Sequence, residues 1–96
     1  MGEIEAIRNR RNDIIEISRR RGATNIRVIG STARGESGQS SDFDFLVDLE
    51  PGRSLLDHAS LVLDLEKLLG RKVDIAVSSG LRQKVKERVL KEAVPL

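Results

Sequence analysis

Residues 30–44 decide the fold of this chain, and their sequence is Gly30-Ser31-Thr32-Ala33-Arg34-Gly35-Glu36-Ser37-Gly38-Gln39-Ser40-Ser41-Asp42-Phe43-Asp44. The segment follows an apolar run at residues 26–29 and leads into another at residues 43–49. Both runs are predicted to be strands, and the small and polar residues between them predict a loop. Because Gly30 has no side chain, such a loop lets backbone N–H groups approach an anion closely.

Two acidic residues stand at the start of the second predicted strand. Asp42 and Asp44 lie two positions apart, so on a strand their side chains leave the same face, with Cα atoms about 7 Å apart. The opposite face is apolar, because Phe43, Phe45 and Val47 alternate with the acids. Two carboxylates on one face, beside a loop suited to phosphates, predict a site for magnesium and a nucleotide.

Three further titratable residues are candidates for the same site. Asp74 interrupts an apolar run that predicts a third strand, and an acid there is costly to bury without compensation. It is either a metal ligand or a strand-end acid paired with Arg or Lys. Asp48 shares the strand face of Asp44 but lies near the strand's end, which favours a solvated position. The only histidine, His58, lies in a predicted helix away from the carboxylates and is expected at the surface.

The remaining pattern predicts a small α/β domain. Helices are predicted over residues 3–21, 54–69 and 81–93, and the third strand over residues 72–77. Serines are the expected N-caps: Ser54 for the second helix, and Ser78 or Ser79 for the third. The second helix is expected to direct its apolar residues toward the sheet, namely Leu55, Leu56, Ala59, Val62, Leu63, Leu65, Leu68 and Leu69. The second and third strands should be neighbours in a mixed sheet, with helices on the Phe43 face and the acidic face open.

Length and composition restrict the class of protein. A chain of 96 residues predicts one domain, 1–96, with a single small core. The absence of cysteine excludes disulfides and thiolate metal sites. Short apolar runs and the absence of a signal-peptide pattern predict a soluble, cytoplasmic protein. A net charge of +2 is too weak to indicate nucleic-acid binding. Residues 36–66 nevertheless contain eight acidic side chains and one basic side chain, Arg53, which favours a solvated or cation-binding face.

The combination of these features resembles the nucleotidyltransferase superfamily of the DNA polymerase β type. The signature of that superfamily is Gly-Ser, ten residues and Asp-x-Asp, and here it runs from Gly30-Ser31 to Asp42-Phe43-Asp44 with the interval intact. The chain is similar to the minimal nucleotidyltransferases, small prokaryotic proteins often encoded beside a HEPN-domain partner. The similar segments are residues 30–35, 41–47, 73–75 and 92–96. One departure is Phe43, where an aliphatic residue is common. Neither a P-loop nor a G-x-G-x-x-G pattern is present.

The resemblance implies a fold and a catalytic site. The fold would be polymerase β-like, with a small mixed β-sheet and helices packed on one face. Asp42, Asp44 and Asp74 would be the catalytic residues and would bind two magnesium ions, with ATP as the substrate. Asp74 could also take the proton of the attacking hydroxyl group. The implied nucleotide-binding residues are Gly30, Ser31 and Arg34.

The resemblance also implies an acceptor. Minimal nucleotidyltransferases act as antitoxins that transfer AMP from ATP to a hydroxyl group, typically of tyrosine, on a HEPN toxin, and we expect this activity here. One alternative is transfer to a small molecule, with a substrate site built by dimerisation. Another is a non-catalytic antitoxin that masks the toxin, although masking does not need the acidic triad. Neither a membrane nor a nucleic-acid substrate is expected, and a homo-oligomer is a further option.

Overall fold

The computed structural model describes residues 3–36 and 42–96, so the middle of the Gly-Ser loop, residues 37–41, lies outside the described residues. The elements in chain order are α1 (Glu3–Asn9), α2 (Arg11–Arg20), β1 (Ala23–Val28), α3 (Gly30–Arg34), β2 (Phe43–Leu49), α4 (Leu55–Leu69), β3 (Val73–Val77), a 3₁₀ turn (Ser78–Gly80), α5 (Gln83–Glu92) and β4 (Val94–Pro95). No helix within the described ranges is long and apolar enough to cross a membrane.

The four strands form one mixed sheet in the order β3-β2-β1-β4. β2 and β3 are parallel, whereas β1 is antiparallel to both β2 and β4. Parallel neighbours need a crossover connection, and α4 supplies it. The predicted α/β fold with a mixed sheet, and the predicted adjacency of the second and third strands, are therefore confirmed.

The core lies on one face of the sheet. Phe45 and Val47 of β2 pack in one buried cluster with Ile14 of α2 and with Leu61 and Leu65 of α4, and all five side chains are fully buried. Strand alternation directs the intervening residues of β2 to the opposite face. Helices thus cover the aromatic face, as predicted, and the acids of β2 lie on the other side of the sheet.

α4 begins and ends where the sequence predicts. The Ser54 hydroxyl accepts a hydrogen bond from the Leu56 N–H at 3.2 Å, and the Asp57 carboxylate accepts one from the Ser54 N–H at 3.1 Å. This reciprocal capping box satisfies two N–H groups that have no partner within the helix. Gly70 follows the last turn in the left-handed conformation, with φ of 68°, which glycine adopts without steric cost.

The predicted inward direction of several α4 side chains is wrong. Leu55, Leu56 and Leu63 are 79%, 78% and 61% exposed, and Ala59 is also exposed. A helix has only one side to direct at a sheet, and Leu61 and Leu65 occupy that side. The apolar residues of α4 outnumber the inward positions, so the excess faces outward.

The first and last helices also differ from the prediction. The first is interrupted at Arg10, so α1 and α2 are separate and bury Ile7 and Ile14, respectively, while the arginines stay exposed. The last begins at Gln83 without a side-chain cap, because both predicted N-caps, Ser78 and Ser79, lie in the 3₁₀ turn that precedes it. The unpredicted β4 pairs only two residues at the sheet edge, a position that tolerates proline.

Candidate active site

The sheet brings the three predicted catalytic acids to one place. Asp44 of β2 lies directly opposite Asp74 of β3 in the parallel register, on strands about 4.8 Å apart. Asp42 immediately precedes β2 and shares the alternation of Asp44. Asp44 is half-buried, whereas Asp42 and Asp74 are exposed, so Asp74 does not incur the burial cost that its sequence context suggested.

The electrostatics of Asp44 show that the other two carboxylates act on it. Burial raises the pKa of Asp44, and the negative charges of Asp74 and Asp42 raise it further. The positive charge of Arg34 acts in the opposite direction and lowers it. A carboxyl group that is hard to ionise beside two other acids marks a place where a cation would be favourable.

Asp42, Asp44 and Asp74 form what we call the acidic edge of the sheet. Its carboxylate oxygens suit a hard divalent cation, because magnesium prefers such ligands. Within residues 3–36 and 42–96, however, no group of three or more acidic, histidine or cysteine side chains is arranged to hold a metal ion. The assignment of Asp42, Asp44 and Asp74 as metal ligands stays a prediction.

Gly30 makes room for the central acid. It has φ of 65°, in the left-handed region, and a Cβ atom placed on it would lie 2.7 Å from Oδ2 of Asp44. Any other residue would therefore push against the carboxylate and adopt a strained backbone. The sequence suggested that this glycine allows a phosphate to approach. In the structure the group beside it is the Asp44 carboxylate.

Sequence reasoning missed Thr32, which fixes the position of Asp44. Its buried hydroxyl donates to the Asp42 carbonyl at 3.4 Å and accepts the Asp44 N–H at 3.3 Å. The Asp44 carbonyl in turn accepts the Ile29 N–H at 3.0 Å. With both backbone polar groups bonded, Asp44 has a defined direction. The sequence signal is weak, because a hydroxyl residue after Gly-Ser is common in any polar loop.

The other predicted nucleotide-binding residues lie on α3, beside the acids. Ser31 is half-buried next to Gly30. Arg34 is exposed and donates to Glu36 at 3.0 Å and to Glu92 of α5 at 2.9 Å. Both carboxylates raise the pKa of Arg34, so its positive charge is secure. Arg34 is thus near the site but paired with acids, and its contact with Glu92 has no signal in the sequence.

Two titratable residues outside the triad have structural partners. Asp48 is half-buried instead of solvated, and it accepts hydrogen bonds from Asn25 and Arg27, each at 2.9 Å. Asn25 is the largest contributor to the lowered pKa of Asp48. His58 is half-buried, and its Nε2 lies 2.7 Å from the Ile75 carbonyl, so it joins α4 to β3 and is not a plain surface residue. Both residues are thus bonded to groups outside the triad.

A mixed sheet that carries three acids at one edge, beside a short glycine-started helix, defines the nucleotidyltransferase class of enzyme. The model of the nucleotidyltransferase domain family matches residues 11–96, and the chain belongs to this family. The predicted family and the predicted enzyme class are both confirmed.

Two curated relatives cover most of the chain. The protein adenylyltransferase MntA of Thermococcus cleftensis is 43% identical over 79 residues, which is 82% of this chain and 80% of the relative. A Methanocaldococcus jannaschii protein that is also named as a protein adenylyltransferase is 40% identical over 81 residues. That match spans 84% of this chain and 87% of the relative.

Solved structures share the fold. A minimal nucleotidyltransferase is 50% identical, with a TM-score of 0.90, and the match covers all of this chain and 97% of the other. A toxin–antitoxin structure with AMP-PNP has a TM-score of 0.75 at 21% identity, over 88% of this chain and 69% of that one. A tri-AMPylated Shewanella oneidensis HEPN toxin in complex with MNT antitoxin has a TM-score of 0.69 at 18% identity, over 92% and 69%. At such low identity, the last two show the fold alone.

Proposed function

We propose that this protein is an antitoxin that transfers AMP from ATP to a hydroxyl group, that of a tyrosine, on a cognate HEPN toxin. The observation that carries the proposal is the register of Asp44 against Asp74, with Asp42 beside them, which places three acids at one open edge. The relatives named as protein adenylyltransferases support transfer of AMP to a protein.

The proposed reaction is an in-line substitution at phosphorus. The acceptor oxygen forms a bond to the α-phosphorus of ATP, and the bond from that phosphorus to pyrophosphate breaks. Pyrophosphate leaves with the electron pair, and Asp74 accepts the proton of the hydroxyl group. Asp74 is exposed at the sheet edge, so a hydroxyl group presented by another protein can reach it.

The acids would hold magnesium in this site. Two magnesium ions bound by Asp42, Asp44 and Asp74 would neutralise the triphosphate and make the hydroxyl group more acidic. The raised pKa of Asp44 supports this role, because a cation nearby relieves the repulsion that opposes its ionisation.

The remaining residues would position the triphosphate. Ser31 would hold the outer phosphates through its hydroxyl group, and the N–H groups near Gly30 would add hydrogen bonds. Arg34 would contact the phosphates by exchanging its bonds to Glu36 and Glu92 for bonds to phosphate oxygens. Such an exchange keeps the guanidinium group paired at every stage, so ATP binding does not leave it without a partner.

The direct test is the intact mass of the toxin after incubation with the protein, ATP and magnesium. The wild type and a control, Asp13→Asn on the exposed surface of α2, should add one or more AMP groups. Asp74→Asn should add none, although it should still co-purify with the toxin, because one side chain contributes little to an interface of ordinary size.

Two results would contradict the proposal. If Asp74→Asn neutralises the toxin fully while the toxin stays unmodified, then catalysis is dispensable and the antitoxin acts by masking. If the wild type consumes ATP only when a small-molecule acceptor is added and never modifies the toxin, then the small-molecule alternative is correct.

A further inference from the structure

The positive charge of the chain is concentrated on α5. Residues 82–91 contain five basic side chains and one acidic side chain, a net charge of +4. The whole chain has a net charge of +2, so the rest of it is net negative. A short helix gains most of its stability by burying an apolar face, yet none of the ten residues of α5 is buried. The charge of α5 is therefore not dictated by the core.

Three of these cations form what we call the cation stripe. Lys84, Arg88 and Lys91 are spaced i, i+4 and i+7, so they lie along one side of the helix, and all three are exposed. No ion pair within residues 3–36 and 42–96 includes any of them. The arginines at positions 19–21, in contrast, each pair with a carboxylate. Because like charges at this spacing destabilise a helix, the stripe costs stability that an acidic partner would restore.

The cation stripe adjoins the candidate active site. α5 packs against α3, and Glu92, the last residue of α5, accepts a hydrogen bond from Arg34 at 2.9 Å. At a rise of about 1.5 Å per residue, Lys84 lies about 12 Å along the helix from Glu92. A protein interface of ordinary size covers about 800 Å² of each partner, which is a patch about 30 Å across. An interface that includes the stripe therefore extends to Arg34.

The surroundings of the stripe suit a protein surface better than a nucleic acid. Val85 and Leu90, on either side of the stripe, are exposed and supply apolar area for a protein interface. Single-stranded nucleic acids are held by stacking their bases on aromatic side chains. The only aromatic residues of the chain, Phe43 and Phe45, are buried in the core. The partner that fits this surface is therefore a protein with an acidic patch.

We propose that the cation stripe binds an acidic surface of the acceptor protein and so docks the acceptor beside the acidic edge. This inference rests on the proposed function and adds to it the place where the toxin binds. The acidic edge and the triphosphate of ATP repel an acidic surface, whereas the stripe attracts it. The two regions together orient the acceptor, with its acidic surface on α5 and its hydroxyl group free to approach Asp74.

The test is the affinity of the toxin for the full chain, measured in the Asp74→Asn background without ATP so that docking is separated from transfer. Lys84→Glu combined with Lys91→Glu, the stripe variant, should raise Kd about tenfold or more and slow association. Arg8→Glu combined with Lys67→Glu is the matched control, because it changes the net charge equally at exposed positions of α1 and α4. The control should change Kd by less than about twofold.

Two further measurements show how the stripe acts. Raising the NaCl concentration from about 50 mM to about 300 mM should weaken docking and bring the Kd values of the stripe variant and its parent closer together. In chains that retain Asp74, the stripe variant should raise the KM for the toxin about tenfold. Its kcat and its KM for ATP should stay within about twofold of the wild type, because the stripe contacts the acceptor and not the nucleotide.

Several results would overturn the proposal. These are a toxin affinity that the stripe variant leaves unchanged, and an equal loss of affinity in the stripe and control variants. A rise in the KM for ATP would assign the stripe to the triphosphate. Loss of single-stranded RNA binding at unchanged toxin affinity would assign it to a nucleic acid. Circular dichroism confirms that each variant is folded.

The docking site and the proposed function can fail separately. If the toxin is modified with the same KM by the wild type and the stripe variant, the docking site is wrong and the function stands. If the toxin binds through the stripe but is never modified, the function is wrong and the docking site stands.

Discussion

The acidic edge of the sheet and the outer side of α4 both place side chains where folding alone would not. At the edge, three carboxylates stand together, and burial and the charges of Asp74 and Asp42 raise the pKa of Asp44. On α4, Leu55, Leu56 and Leu63 face water. The crowded acids cost stability, whereas the exposed leucines contribute little to it. Residues that break a local rule in either way are expected at functional surfaces.

The two regions differ in the contacts that hold their residues in place. The Asp44 N–H donates a hydrogen bond to Thr32, and the Asp44 carbonyl accepts one from Ile29. Gly30 leaves space for the Asp44 carboxylate. The exposed leucines of α4 form only a surface on a regular helix. The acidic edge therefore has the fixed geometry that chemistry needs, whereas the outer side of α4 presents apolar area alone.

The largest expected effect is a loss of activity combined with a gain in stability, at the acidic edge. Asp44→Asn should reduce AMP transfer by about 10³-fold or more, because the substitution removes a charged ligand. The same variant should unfold at a higher temperature than the wild type at pH 7 without metal, because a carboxylate that is half-buried and repelled by its neighbours is gone. Transfer assays and thermal melts check the two halves. A variant that loses activity and stability together would contradict this separation.

The raised pKa of Asp44 determines how the stability gain of Asp44→Asn depends on pH. Asp44 has a raised pKa in the folded protein, so it favours folding fully below its unfolded pKa of about 3.9. That contribution is lost as the pH rises through the raised folded value. The advantage of Asp44→Asn should therefore be absent in acid, grow across this window and level off above it. Melts of both proteins from acid to neutral pH measure the difference.

The next largest effect is expected within α4 itself. Leu61→Ala should cost about 2–5 kcal/mol of unfolding free energy, since the side chain is fully buried. Leu63→Ala, two residues away but 61% exposed, should change it by less than about 0.5 kcal/mol. Denaturant unfolding of both variants at low protein concentration checks the contrast. Equal costs would show that the outer side of α4 is covered within a single chain.

A smaller effect on stability is expected at Gly30. Gly30→Ala should cost about 1–3 kcal/mol, from its left-handed backbone and from the contact with the Asp44 carboxylate, and it should also reduce transfer. Gly70→Ala is the matched control, because its φ of 68° is similar and nothing lies within 4 Å of an added Cβ atom. It should cost only the backbone part and leave transfer intact. If both variants lose transfer equally, contact with Asp44 is not the cause.

The adjacency of the three acids could be predicted, because few arrangements of strands satisfy the spacing of residues 30–44. The spacing from Gly30 to Asp44 fits one loop between two strands, and strand alternation then decides which face the acids occupy. Residues that act by contact, such as Thr32 and Glu92, were not predictable, because their partners come from the register of the sheet and from the position of α5.

The inner face of α4 was harder to predict for a physical reason. Its apolar residues occur on nearly every side of the helix, so periodicity alone does not say which of them are buried. The break at Arg10 was only partly indicated, by two arginines within an otherwise apolar stripe. The short β4 had no signal, since two residues are too few to show alternation.

The most direct test of the acidic edge as a magnesium–nucleotide site is the melting-temperature gain from magnesium and a non-transferable ATP analogue. The wild type and Asp48→Asn, whose acid pairs with Arg27 outside the triad, should gain equally. At a hundred times the dissociation constant the stabilisation would be about 2.7 kcal/mol. Asp42→Asn should lose most of this gain. The same gain in Asp42→Asn as in the wild type would contradict the placement of the site.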